Sequence, residues 1–163
     1  MNKELSHELV QLLIQRNMTV AQAESCTGGL LSKYITDQPG ASQVFECGVV
    51  SYSGRIKHQI LGVSDATLAS FGEVSAQTAE EMAKGICKVA ASNIGIGITG
   101  IAGPGGGSPE KPVGLVYFAV AFGENCQSVR LELFDCKDRN EVREKTVENV
   151  LTYVIDKIKN STV

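Results

Sequence analysis

Thr19-Val20-Ala21-Gln22-Ala23-Glu24-Ser25-Cys26-Thr27-Gly28-Gly29-Leu30-Leu31-Ser32-Lys33-Tyr34-Ile35 decides the fold class. Thr19–Ala23 reads as a short strand that runs straight into a turn marked by two glycines. Leu30, Leu31, Tyr34 and Ile35 then form the inner face of a helix that ends before Pro39-Gly40. A strand feeding directly into a helix is the opening of an α/β unit, and the flanking sequence repeats the alternation.

Upstream, Leu5, Leu9, Leu12 and Leu13 stand at helical spacing within residues 4–16. Downstream, Phe45–Ser51 is a Val-rich strand. Short helices are predicted over Gly54–Ile60 and Ser64–Ser70, the second capped by Ser64 or Asp65, and Ser75 caps a longer one reaching about Ser92. Ile94, Ile96 and Ile98 alternate with Gly95 and Gly97, which is strand periodicity. Gly114–Phe122 and Val129–Phe134 are expected to form a closing hairpin that turns at Gly123-Glu124-Asn125. Asp138 caps a last helix with Val142, Thr146, Val150, Tyr153, Val154 and Ile158 inward. Together these elements predict one domain, a three-layer α/β/α sandwich with a mixed, mostly parallel sheet. Ligand sites in such sheets lie beyond the carboxyl ends of strands, where Glu24–Gly29, Ser51–Lys57 and Thr99–Pro112 can converge.

Composition narrows the function. Net charge is −3 with a pI near 5.4 and no basic cluster, which argues against a nucleic-acid binder. The cysteines Cys26, Cys47, Cys87, Cys126 and Cys136 are scattered, and the only histidines are His7 and His58. No metal-ligand spacing occurs, so neither metal nor disulfide is expected. With no apolar run of spanning length and no signal-like start, a cytoplasmic protein without a membrane role is expected.

Ser25 is the first candidate for chemistry. At a strand-to-helix turn a hydroxyl lies near free backbone N–H groups and the positive end of a helix dipole, the parts of an oxyanion hole or a phosphate cradle. The same position also suits an ordinary capping serine. Cys26 is a rival nucleophile, although a small core-facing thiol explains it equally. Neither histidine is a convincing base, which leaves lysine. Tyr52 and Lys57 follow the Val-rich strand and can face one pocket, or stand as a strand-edge tyrosine and a solvated lysine.

Gly95-Ile96-Gly97-Ile98-Thr99-Gly100 fits G-x-G-x-x-G only by accident. Its glycines sit within a strand, where they mark a closely packed helix, and no helix follows. The long Gly- and Pro-rich segment from Gly100 to Pro112, including Gly103, reads as a ligand-binding loop.

Glu24-Ser25-Cys26-Thr27-Gly28-Gly29, Ser51-Tyr52-Ser53 and Thr99-Gly100-Ile101-Ala102-Gly103-Pro104 with Lys111-Pro112-Val113-Gly114 together resemble the CinA C-terminal domain family, and in particular its stand-alone nicotinamide-nucleotide amidohydrolases. The resemblance implies hydrolysis of nicotinamide mononucleotide to nicotinate mononucleotide and ammonia, without a cofactor. It implies Ser25 as nucleophile, with Lys57 as base and Tyr52 as relay or orienting group. Substrate contacts would come from the backbone of Cys26, Thr27 and Gly28, from Thr99, Gly100 and Gly103, and from Arg139 and Arg143 at the last helix. Some relatives carry a further metal-dependent pyrophosphatase domain, which is not expected here. The implied partner is a small nucleotide, and a homo-oligomer is expected. A non-catalytic nucleotide sensor or competence-associated partner is the alternative use of the same pocket.

Overall fold

The computed structural model describes residues 1–160. Its helices are α1 (Asn2–Arg16), α2 (Leu30–Thr36), α3 (Gly54–Leu61), α4 (Asp65–Phe71), α5 (Ala76–Ala90) and α6 (Arg139–Asn160). Its strands are β1 (Val20–Glu24), β2 (Phe45–Val50), β3 (Ile94–Gly100), β4 (Leu115–Phe122) and β5 (Asn125–Glu132), in the sheet order β2-β1-β3-β4-β5. β1 pairs parallel with both β2 and β3, whereas β4 is antiparallel to β3 and to β5. Only β4 therefore runs against the other strands. The expected mixed α/β/α sandwich is the fold observed.

The two faces of the sheet are built differently. Ile94, Ile96, Ile98, Val116, Phe118 and Val120 are fully or almost fully buried on the face covered by α1, α2 and α6. Large side chains there fill the gap to helices that also cross one another. The opposite face is made of Ala21, Ala23, Gly95, Gly97, Ala119 and Ala121, and α5 lies directly on it. A Cβ on Gly95 would stand 2.2 Å from the carbonyl oxygen of Ala83, and one on Gly97 2.3 Å from that of Ala79. These glycines serve helix packing, as their position inside a strand predicts.

The capping predictions hold. Ser64 and Ser75 accept hydrogen bonds from the amides of Thr67 and Thr78 at 3.0 and 3.1 Å. Asp138 accepts from Asn140 and Glu141 at 2.8 and 2.9 Å at the start of α6. Tyr153 is half-buried, with its ring edge-on to Phe118 at 5.4 Å. The last hairpin differs from expectation. It turns on Gly123-Glu124 alone, and β5 begins four residues earlier than predicted, with Asn125 opposite Phe122. β5 is an edge strand with one wet face, so its polar Asn125 and Gln127 hide it from a hydrophobicity criterion. Among the described residues no helix is long and apolar enough to cross a membrane.

Candidate active site

β1 delivers Glu24 fully buried at its carboxyl end, and this residue organises the turn that follows. One carboxylate oxygen accepts from the amides of Gly29 and Leu31, both at 3.1 Å. The other accepts from the amide and hydroxyl of Ser32 at 2.8 and 2.7 Å. The N-terminal end of α2, which the sequence offers as an oxyanion or phosphate seat, is thus already occupied by the protein's own anion. The amide of Gly28 is also committed, donating to the carbonyl of Ser25 at 3.0 Å. This corrects the expectation that Gly28 offers its N–H to a ligand. The turn's own hydrogen bonds do not use the amides of Cys26 and Thr27.

Ser25 is anchored by its amide, which donates to Ile98 of β3 at 3.0 Å, and its side chain meets Lys57. Lys57 lies one turn into α3, whose start is capped by Ser53. Only 1% of its surface is exposed. Its Nζ lies 3.0 Å from Ser25 Oγ and donates to the carbonyl of Ser51 at 2.8 Å. Burial holds the Lys57 amine below the ordinary lysine range, against an opposing pull from the negative charge of Glu73. A lysine without a carboxylate in hydrogen-bond contact, sealed against a serine hydroxyl, is chemically a base–nucleophile pair.

Cys26 is buried, and desolvation pushes its thiol up to about 12. It is therefore a protonated packing residue at neutral pH. His58 is tied to the carbonyl of Val63 at 2.7 Å, and His7 is on the exposed side of α1. Neither approaches Ser25.

Tyr52 departs from expectation. It is 61% exposed, and its hydroxyl makes no hydrogen bond to Ser25 or Lys57. The chain turns inward at Ser51 and outward at Tyr52, so the tyrosine stands at the rim and is not placed as a proton relay.

Ser25, Tyr52, Glu73, Thr99, Gly103 and Arg139 line one cleft of about 190 Å³, with Gly100 in its wall. Thr99 is buried and donates to the carbonyl of Glu73 at 2.7 Å, so it positions the α4–α5 connection. A Cβ on Gly100 would lie 2.8 Å from Val116 and 2.9 Å from the carbonyl of Leu115, so glycine there serves strand packing. The carbonyl of Gly103 accepts from Arg139 Nε at 2.7 Å, which ties the glycine loop to α6. Arg143, one turn on, donates to the carbonyl of Cys26 at 2.8 Å and faces a neighbouring hollow lined by Thr27, Gly28, Lys33 and Asn140. Arg143 thus braces the Ser25 turn, and Arg139 the glycine loop on the other side of the cleft. Among the described residues no group of three His, Cys, Asp or Glu side chains can hold a metal ion.

The profile of the CinA C-terminal domain matches residues 2–158. The chain belongs to the CinA C-terminal domain family. A protein of Acetivibrio thermocellus, named as competence-damage inducible, is 48% identical over 94% of this chain. The match takes in 37% of that protein, so the chain spans little more than a third of the curated relatives it resembles. Solved structures agree closely. A competence/damage inducible protein from Agrobacterium tumefaciens is 40% identical with a TM-score of 0.92, covering 95% of this chain and 94% of that one. A CinA superfamily protein from Klebsiella pneumoniae is 32% identical with a TM-score of 0.94, covering 99% of both.

Within this CinA domain the sequence reading missed two site residues, Glu24 and Glu73. Glu24 was visible only as part of a motif. Glu73 stands in the connection between α4 and α5, with no periodicity or spacing to single it out.

Proposed function

We propose that this CinA domain is a serine amidohydrolase that converts nicotinamide mononucleotide to nicotinate mononucleotide and ammonia. The observation that carries the reading is the contact of 3.0 Å between Ser25 Oγ and the buried, uncharged-favouring Nζ of Lys57.

Neutral Lys57 takes the Ser25 proton as Oγ attacks the carboxamide carbon. The oxyanion of the tetrahedral intermediate is met by the amides of Cys26 and Thr27, the turn's uncommitted donors. The carbon–nitrogen bond breaks, Lys57 returns the proton to the departing nitrogen, and ammonia leaves a Ser25 ester. Water then attacks the ester, again giving a proton to Lys57. Collapse of the second intermediate returns that proton to Ser25 and frees the carboxylic acid, which loses its own proton to water. Tyr52 takes no proton in this scheme; its exposed ring offers a face to the pyridine.

The test is direct. Purified protein should release ammonia from nicotinamide mononucleotide in equal amount to nicotinate mononucleotide. Folded protein that binds the nucleotide without turnover would instead mark a sensor.

A further inference from the structure

Glu73 is a carboxylate fixed in the Ser25 cleft for which the reaction has no use. One of its oxygens accepts from the amide of Gly54 at 2.8 Å, at the start of α3. Its main-chain carbonyl is held by Thr99 at the end of β3. The side chain lies so close along the start of α3 that a Cβ on Gly54 would stand 2.5 Å from Glu73 Oε1 and 3.3 Å from its Cγ. Yet Glu73 is solvent-exposed and forms no salt bridge among the described residues. Lys57 feels its charge but must be neutral to serve as a base, and the Lys111 ammonium beside Gly72 donates to the carbonyl of Phe71 at 2.6 Å without forming an ion pair with Glu73. An immobilised, unpaired anion inside a binding cleft is a seat for positive charge.

The rest of the cleft fits that reading. Tyr52 contributes an exposed aromatic face, which attracts cations through the ring quadrupole. Arg139 reaches the same cleft from α6 and spends only its Nε on Gly103, leaving the fork of its guanidinium for an anion. The lining is bipolar, complementary to a ligand with a cationic ring and an anionic group.

We propose that Glu73, together with the Tyr52 ring, is a specificity determinant that selects aromatic amides carrying a positive ring charge, such as N-substituted pyridinium compounds, over neutral ones. The inference rests on the amidase reading for its substrate class and adds the feature by which the ring is chosen. An N-glycosylated pyridinium is cationic, whereas its 1,4-dihydro form keeps the carboxamide, sugar and phosphate with a neutral ring.

The test measures binding of nicotinamide mononucleotide and its 1,4-dihydro form to Ser25→Ala protein by calorimetry, so no turnover intervenes. The cationic ring should bind roughly tenfold tighter, the product of an exposed ion pair and a cation–π contact. Adding Glu73→Gln should cut that preference by roughly three- to fivefold through weaker binding of the cation alone. The preference should also shrink at high salt, which needs no Glu73 variant. Equal affinities, a preference untouched by Glu73→Gln in folded protein, or binding of neither compound each overturn the inference. Ammonia release without ring-charge preference overturns it and leaves the amidase reading standing; preference without ammonia does the reverse.

Discussion

Replacing Glu24 with glutamine keeps its size and removes half of its ability to accept hydrogen bonds. The carboxylate takes two donors on each oxygen, Gly29 and Leu31 on one side and the amide and hydroxyl of Ser32 on the other. An amide has one acceptor oxygen and turns an NH2 group toward the second pair. If the oxygen stays with Ser32, the amides of Gly29 and Leu31 face a donor. If it turns the other way, the Ser32 hydroxyl can rotate to accept, but the Ser32 amide is orphaned. A buried orphan costs about 1–3 kcal/mol and the better orientation leaves one, so Glu24→Gln should destabilise the protein by about 1–3 kcal/mol. For a chain of this length that lowers the melting temperature by roughly 2–12 °C. Urea unfolding measures the free energy, and thermal unfolding provides the check. Ammonia release should fall as well, because the same carboxylate fixes the turn that carries Ser25. Glu24→Asp, which keeps the charge but loses reach, should fall between. A Glu24→Gln protein within about 0.5 kcal/mol of wild type would refute the reasoning, since that is the scatter of a neutral surface change.

The remaining predictions concern the reacting groups. Ser25→Ala should lower the rate by about three to four decades or more, while Cys26→Ala costs far less; the reverse ranking in an ammonia assay would overturn the choice of nucleophile. Lys57→Arg should be inactive because a guanidinium keeps its proton, and the fall in rate toward acid should report the charging of Lys57. The depressed folded value also means that the unfolded chain binds the lysine proton more tightly. Stability should therefore rise with pH between that lowered value and the unfolded one of about 10.4, a slope that Lys57→Met removes in urea titrations. Arg139→Ala should weaken nicotinamide mononucleotide by about 2–3 kcal/mol and leave turnover of the riboside nearly unchanged. Equal losses on both would assign Arg139 to holding the loop through Gly103.

Most of what was legible in the sequence depends on side-chain identity at fixed spacing. Ser64, Ser75 and Asp138 announce helix starts because capping needs a short polar acceptor at one position. Gly95 and Gly97 announce close packing because no other residue fits beneath α5. Ser25 and Lys57 are separated by 32 positions and were joined by family resemblance; the geometry then placed them in contact. Tyr52 was brought to the cleft correctly and given the wrong task, since spacing says nothing about which way successive residues turn at a strand end.

The rest was hidden because backbone amides carry no residue identity. Glu24 finds its donors five, seven and eight positions on, and Glu73 binds the amide of Gly54 nineteen positions back. No pattern of residue types encodes which N–H groups a turn consumes and which it leaves. That is why a glycine turn leading into a helix suggests an open anion seat when this one is closed by Glu24. The consequence reaches the substrate. With the end of α2 neutralised from within, its dipole offers nothing to a phosphate, and the arginines of α6 are the guanidinium groups that line the hollows around the turn. Arg139 reaches the cleft of Ser25, while Arg143 reaches the hollow behind the turn. Only Arg139 shares a cavity with the nucleophile, and so it is the arginine whose loss should separate phosphorylated from unphosphorylated substrate.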